Sequence, residues 1–455
     1  MNDSSNQIEQ LFREGSKLLR RGNFNEALVC FRSALVLDRS NATLNLYAGT
    51  VLHELGRYEE AVACYRMALD LAPGMGEIHN NLGNSLLALG LFSEAADSFL
   101  RAAAILTSSP VPSAARATAL QALGKISEAE AECRRAILLD PAFAAAHWNL
   151  ALNLLLQGRY EEGWREYEWR WQKSDFTSPC RHTDIPLWDG SPLEGRTILL
   201  HAEQGFGDAI QFIRYAPLVA AHGGTVIIEC HPQLVRLFQN LPDVHSVVPF
   251  GAALPPFNCQ APLLSLPGIF GTTLQTIPSA YPYLSASKEL RLKWSALMSV
   301  YPANRRVGLV WSGKKYPDPL RSCSLAELAP LLSLNNVTFF SLQLGVEAGL
   351  PFGMNMVDLT GQIDDFADTA TLIQQLDLVI TIDTAVAHLV GAMGKQFYLM
   401  IPFAPDWRWL LECSDSVWYP SAHIFRQKQP GNWSDVITRV KSALETFSRN
   451  NKKIL

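Results

Sequence analysis

The chain has no cysteines arranged for a zinc site or a disulfide framework. Its eight cysteines are scattered, none forms a C-x-x-C pair, and none stands with histidine at zinc spacing. That excludes a small structural zinc module and fits reduced thiols. Long basic runs are also lacking: 38 Lys and Arg stand against 43 Asp and Glu, for a formal net charge of -5. Nothing here recruits a phosphate backbone, so no nucleic-acid partner is expected. No apolar stretch approaches the roughly 18 to 20 residues of a membrane span, and the opening "MNDSSNQIEQLFREG" has no apolar signal core. These absences predict a cytoplasmic protein with no metal and no membrane span. At about 100 to 200 residues per domain, 455 residues predict two to four domains.

What is present first is a repeat. Ala27, Ala61, Ala95, Ala129 and Gly163 lie 34 residues apart, and twelve positions before each stands Gly15, Gly49, Gly83, Ala117 or Ala151. Four positions after each come Phe31, Tyr65, Phe99, Cys133 and Tyr167, with Ala34, Ala68, Ala102 and Ala136 three further on. Small residues let paired helices approach, and the aromatic fills the gap. This order and period are those of tetratricopeptide repeats, whose helix pairs stack into a superhelix. Five units are read, over residues 1–171. Pro73 and Pro141 end their repeats on pattern, whereas Arg39 and Thr107 do not. Such an array offers a concave protein-binding surface and no chemistry. Asn81, Asn84 and Asn149 fall on first helices, the face that lines the groove, where amides can hold an extended peptide acceptor by paired hydrogen bonds. Solvated polar residues are the plainer alternative.

"GWREYEWRWQKSDF" closes the array with Trp164, Trp169 and Trp171 crowded together, the density of a core cap or domain glue. Residues 172–196, rich in proline and turn residues, read as a linker. Then short β-rich runs alternate with helical stretches. "TILLHA", "TVIIEC", "SVVPF" and "APLLSL" form one group, and "RVGLVW", "VTFFSLQ", "MVDLT", "LDLVITI" and "QFYLMIP" a second. Continuous apolar strands between amphipathic helices predict parallel sheets covered on both faces. The division is two doubly wound, Rossmann-like halves, 197–300 and 301–455, the second ending in a returning helix "SDVITRVKSALETF". "GDAIQFIRYAPLVAAH" and "SLAELAPLLSL" are each read as one helix.

Ligands of such sheets bind beyond the carboxyl ends of the strands. Three stretches lie there. In "HAEQGFGDAIQFIRY", Gly205 and Gly207 permit a tight turn and leave room for an acceptor, and Asp208 opens the helix. In "LDLVITIDTAVAHLVGAMG", a strand ends in Asp383 and Thr384, and His388 follows one helical turn later; free N–H groups and the dipole there suit a diphosphate. Asp383 itself would repel the anion, and so caps the helix or accepts a hydroxyl. In "RVGLVWSGKKYPDPLRSCSLAEL", Ser312 and Gly313 enter a loop with Lys314 and Lys315, Arg321 follows, and Ser324 with Glu327 forms a capping box. Arg321 would neutralise leaving-group charge. The two lysines read as solvated loop residues. An ordinary N-cap at Thr384 and a capping carboxylate at Asp208 are the structural alternatives. The missing third glycine, Ile210, weighs against a dinucleotide-binding dehydrogenase, although Glu229 ends the second strand.

Together, "GFGDAIQFIRYAPL" and "LDLVITIDTAVAHLVGAMGK" resemble the ADP-heptose lipopolysaccharide heptosyltransferases, inverting enzymes of the GT-B fold. The resemblance covers roughly residues 197–440 and implies Asp208 as catalytic base. It places Asp383, Thr384 and His388 on the nucleotide sugar, with Arg321 as the basic residue. The chain departs from that pattern at Ala385, where the family has glycine, and at Gln343, where it has an acid in the donor site. The whole arrangement, with "DWRWL" added, is similar to bacterial tetratricopeptide-repeat glycosyltransferases, some of which modify proteins such as flagellin. The resemblance implies an inverting, metal-independent glycosyltransferase with no cofactor, a nucleotide-sugar donor and a protein acceptor held by the repeats. Glu203 is a rival base, and Trp407, Arg408 and Trp409 flank the donor or simply pack. A scaffold with a degenerate GT-B region is the alternative.

Overall fold

The 34-residue spacing is realised as helix pairs in a computed structural model, which describes residues 2–301, 304–314, 319–345 and 356–450. The pairs are α1 (Asn2–Arg20) with α2 (Phe24–Leu37), α3 (Ala42–Glu54) with α4 (Tyr58–Leu71), α5 (Gly76–Ala88) with α6 (Phe92–Ile105), and α7 (Val111–Ala122) with α8 (Ile126–Leu139). α9 (Ala144–Leu156) and α10 (Tyr160–Tyr167) complete the set. The small-to-aromatic pattern has a direct steric cause: a Cβ added at Gly15, Gly49 or Gly83 would lie 2.9, 2.7 or 2.6 Å from the ring of Phe31, Tyr65 or Phe99. A second periodic glycine closes each pair. Gly22, Gly56, Gly90, Gly124 and Gly158 all have φ between 72° and 78°, the left-handed turn that a side chain resists. Where proline ends a repeat, a histidine of the next helix, His79 or His147, donates from Nε2 to the carbonyl of Pro73 or Pro141, at 3.2 and 3.0 Å.

The chain divides into two compact units, Met1–Asn153 and Leu154–Leu455. α10 therefore belongs to the second unit, although its sequence continues the repeat. Trp164 explains why: its indole donates to the carbonyl of Thr272 at 2.9 Å, and its ring meets Trp407 at 5.3 Å.

The second unit holds two all-parallel sheets. The first contains β1 (Thr197–His201), followed by α11 (Phe206–Phe212) and α12 (Ala216–Ala220). Next come β2 (Thr225–Cys230), α13 (Val235–Phe238), β3 (Val244–Pro249), β4 (Cys259–Pro262) and α14 (Leu266–Ile269). α15 (Arg291–Ser299) leads to the second sheet, made of β5 (Arg305–Val310), α16 (Ala329–Leu332), β6 (Val337–Ser341), β7 (Met356–Asp358), α17 (Phe366–Gln374), β8 (Leu378–Ile382), α18 (Ala385–Ala392), β9 (Phe397–Ile401), β10 (Ala422–Arg426) and α19 (Trp433–Asn450). The orders are β3-β2-β1-β4 and β10-β9-β8-β5-β6-β7.

Both orders reverse direction once, between β1 and β4 and between β5 and β8. These are the switch points where an open parallel sheet leaves a crevice at the carboxyl ends of its strands. β1 runs into Gly205–Asp208, β5 into Trp311–Gly313, and β8 into Asp383 and Thr384.

Four expectations need correcting. The helix read over 207–222 breaks into α11, a 3-10 turn over Ile213–Tyr215, and α12, because Pro217 has no N–H to give the carbonyl of residue 213. The helix read over 324–334 is likewise reduced to α16, since the ring of Pro330 clashes with a preceding α-helical carbonyl; residues 325–328 form a turn. The sequence runs do not include β10, a short edge strand that, among the described residues, pairs with β9. Residues 172–196 are packed rather than free: Leu187 bridges to Gln260 on edge strand β4, and the N–H of Gln204 donates to Ser178 Oγ at 2.7 Å. Open backbone groups on an edge strand invite such cover.

Candidate functional site

Asp208 sits in the first turn of α11 with both carboxylate oxygens engaged. Oδ2 accepts from the N–H of Gly205 at 3.1 Å, capping the helix, and Oδ1 accepts from Arg408 Nη2 at 2.6 Å. Burial pushes its carboxyl above the ordinary aspartate range, while Arg408 and the Gly205 N–H pull it down. Each oxygen keeps one lone pair, so the group remains able to take a proton.

The two glycines act differently from expectation. The left-handed residue of this turn is Gln204, at φ 57°, while Gly205 is extended at φ -89°. The space beside Gly207 is filled: an added Cβ would lie 2.8 Å from His388 Cδ2 and 3.5 Å from Ala385 Cα. Gly207 therefore lets α11 press against the start of α18, and leaves no room there for an acceptor.

On the other side, Thr384 is the N-cap of α18 but makes no side-chain cap bond. Its Oγ1 lies 3.4 Å from Thr381 Oγ1. First-turn amides of an α-helix have no intrahelical partner, so this end is suited to an anion. His388 is buried, stacks on Trp409 at 5.6 Å, and meets Tyr419 Oη through Nδ1 at 2.9 Å. Burial, with Arg408 and Arg214 nearby, holds its pKa well below the usual imidazole value, so it is neutral. Asp383 Oδ1 is 3.9 Å from His388 Nε2, beyond a hydrogen bond.

Arg408 is the residue that sequence reasoning undervalued. It is buried beneath the partly exposed Asp208, with Nη1 on both oxygens of Asp406 at 2.9 and 3.1 Å and Nε on Gln211 Oε1. Burial opposes its charge, but Asp406 and Asp208 more than restore it. An arginine between two tryptophans in "DWRWL" was the available signal: a cation in such company needs carboxylate partners. Arg214 forms a second clasp, donating to the Gln211 and Trp418 carbonyls and to Tyr283 Oη at 2.9, 3.1 and 3.0 Å.

The loop after β5 is shaped by Gln343, whose Oε1 accepts from the N–H groups of Trp311 and Ser312 at 3.1 and 2.9 Å. A carboxylate would accept the same pair, so the departure from an acid leaves the loop's support intact. Gly313 donates to Ser322 Oγ at 3.0 Å. Arg321 holds the Lys314 carbonyl with Nη2 at 2.8 Å, and its charge reaches Asp383. Lys314 is exposed, and Lys315 lies outside the described residues. The predicted capping box is present: Ser324 N donates to Glu327 Oε2 at 2.7 Å, and Glu327 N to Ser324 Oγ at 3.2 Å.

Two acids are otherwise occupied. Glu203, the rival base, is locked by buried Arg170 through bonds of 2.8 and 3.2 Å. Glu229 meets His182 Nε2 at 3.0 Å and Arg181 at 3.6 Å, and Ile210 is fully buried, so neither supports a dinucleotide site. In the array, Asn81 and Asn84 lie half-buried on α5. Both N–H bonds of Asn149 are already engaged, with the Ala114 carbonyl and Thr118 Oγ1 at 3.1 Å each, so it offers a peptide only its carbonyl.

Among the described residues, no group of three or more His, Cys, Asp and Glu is placed to hold a metal ion. No described helix is long and apolar enough to cross a membrane. Two surface concavities, of about 470 and 410 Å³, lie away from these motifs, beside His222 and Phe270 and beside Arg159 and Thr273.

Comparison with known proteins matches the Tetratricopeptide repeat family over residues 12–76, 63–110 and 114–168. Protein FlbA of Caulobacter vibrioides is 29% identical over 73% of this chain and 61% of its own length. The chain thus spans less than two thirds of that relative. The matched share is larger than the array, so the likeness continues into the α/β region. Among solved structures, MamA from Desulfovibrio magneticus RS-1 is 20% identical over 37% of this chain and 92% of its own, with a TM-score of 0.33. YrrB, described as a TPR protein with an unusual peptide-binding site, is 22% identical over 37% and 90%, also at 0.33. Likeness at that level establishes neither ligand nor function for this chain.

Proposed function

We propose that the chain is an inverting, metal-independent glycosyltransferase of GT-B type, acting in the cytoplasm on a protein or peptide acceptor bound by its repeats. The observation that carries this reading is the meeting of α11 and α18: residue 207 abuts His388 and Ala385, and Asp208 is tied to Arg408. An acid from one sheet's switch point thus stands beside an anion-suited helix start from the other's. Asp208 takes the acceptor proton as the anomeric carbon develops oxocarbenium character. The first turn of α18 and Arg321 hold the departing phosphate.

Asp208→Asn tests this. Turnover of a nucleotide sugar should fall about a hundredfold to ten-thousandfold, the usual worth of a general base, while nucleoside diphosphates still raise the melting temperature. Equal loss of both would defeat the assignment. The scaffold reading has its own support in the engaged oxygens of Asp208 and the filled space at Gly207; it predicts no thermal shift with any nucleotide.

A further inference from the structure

Asp383 stands at the head of α18, mostly buried, and the charged groups around it do not neutralise it. From the loop after β9, Asp406 opposes its ionisation, and Arg408, whose bonds go to Asp208, Asp406 and Gln211, favours it only from a distance. From the loop after β5, Arg321 does the same while donating to Lys314. From α18, neutral His388 is too far to donate. The Trp409 indole N–H draws on the carboxylate, but it is buried and makes no bond of good geometry. Burial first, then Asp406, pushes the Asp383 carboxyl up to about 7, against the pull of Trp409, Arg408 and Arg321.

A mostly buried carboxyl whose one neighbouring donor, the Trp409 indole N–H, falls outside hydrogen-bond geometry is an unfinished arrangement, and a ligand completes it. We propose that Asp383, as the neutral acid and oriented by Trp409, donates a hydrogen bond to the phosphate held at the start of α18, so that deprotonation of Asp383 releases the nucleotide. This rests on the donor-site reading above, and gives that site a pH gate. An ionised Asp383 at the same point would face the phosphate as a like charge.

The sign follows. The acid form holds the anion below the carboxyl's midpoint, and the carboxylate rejects it above. If only the acid form binds, affinity for nucleotide scales with the protonated fraction, so moving from pH 6 to pH 8 weakens binding about tenfold. The nucleotide's terminal phosphate also titrates, near pH 6 for phosphate esters, and a control must remove that contribution.

The experiment is calorimetric titration of the full chain with ADP, GDP, UDP and CDP at pH 6, 7 and 8, for wild type, Asp383→Asn and Trp409→Phe. Asp383→Asn keeps a neutral donor at every pH, and should bind the preferred nucleotide with only the phosphate's own slope. Trp409→Phe, which loses the pull toward ionisation, should retain binding to higher pH than wild type. Equal pH slopes in wild type and Asp383→Asn would overturn the gate while leaving the donor site standing. Should Asp383→Asn fail to fold, an unshifted Trp409→Phe profile would overturn it instead. Absence of nucleotide binding in every protein at every pH would remove the donor site and the gate together.

Discussion

Replacing Arg170 with methionine should destabilise the second unit strongly, because it breaks a buried, fully bonded ion pair. All five guanidinium N–H bonds are used: Nε and Nη2 on the two Glu203 oxygens, Nη2 also on Ser265 Oγ at 2.8 Å, and Nη1 on Glu168 Oε1 at 2.7 Å and the Tyr167 carbonyl at 3.3 Å. The Arg170 side chain is 0% exposed and that of Glu203 2%. Removing one member of a buried pair costs about 3 to 5 kcal/mol, because the other charge is left uncompensated. Glu203 can escape by taking up a proton. Burial already pushes its carboxyl upward against the pull of Arg170, and without Arg170 it rises further. The variant's folded state then binds a proton that the unfolded chain releases, so the penalty grows as pH rises above the unfolded glutamate value. Arg170→Met/Glu203→Gln should recover much of the loss, falling short of the summed single costs by about 2 kcal/mol.

Urea unfolding followed by tryptophan fluorescence reads this unit almost alone, since ten of the eleven tryptophans lie after residue 153 and only Trp148 precedes it. A cost below about 1 kcal/mol for Arg170→Met at pH 8 would refute the reasoning, being the scale of an exposed pair. So would additive single costs.

Gly207→Ala should cost about 1 to 3 kcal/mol through overpacking onto His388, whereas Gly205→Ala, whose Cβ would come no nearer than 3.4 Å to Asp208 Oδ2, should cost far less. Thermal melts of the pair check this, and equal losses would mean that α11 does not press on α18. A chain beginning at residue 154 should fold, while one beginning at 173 should not. The latter lacks Tyr160, which accepts from the Trp418 indole at 3.0 Å, along with Trp164 and Arg170. Circular dichroism and limited proteolysis distinguish the two, and a protease-resistant 173–455 chain would show that α10 is dispensable.

The parts legible in the sequence were those set by local rules. Helix pairs followed from small and aromatic residues at a fixed period, and strands from short apolar runs between turns. The breaks at Pro217 and Pro330 are equally local: a missing N–H outweighs the amphipathic pattern around it. The site was less legible because its meaning lies in partners distant along the chain. Glu203 and Asp208 are both acids just beyond β1. Only Arg170, 33 residues before one, and Arg408, 200 residues after the other, separate a structural pair from a candidate base. Gly207 misled for a related reason. Glycine at a strand end suits a ligand or a neighbouring helix equally well, and the choice depends on where residue 388 folds.

The charges at the junction of the two sheets also explain why the candidate donor site needs a neutral acid. Asp208 and Asp406 share the single guanidinium of Arg408, and Asp383 is influenced by Arg321 without touching it. If all three carboxylates were ionised, they would outnumber the two arginines before any phosphate arrived, and buried like charges disfavour one another's ionisation. Of the three, Asp208 and Asp406 have short bonds to Arg408, and Asp383 has none. Asp383 is the one that burial and then Asp406 push up to about 7. That leaves the cluster balanced and the start of α18 without a competing anion. The same count predicts the effect of removing the clasp. With Arg408 replaced by glutamine, Asp208 loses the cation that pulls its carboxyl down against burial, so that carboxyl rises further. Nucleotide binding at α18 would then become less sensitive to the state of Asp383 alone.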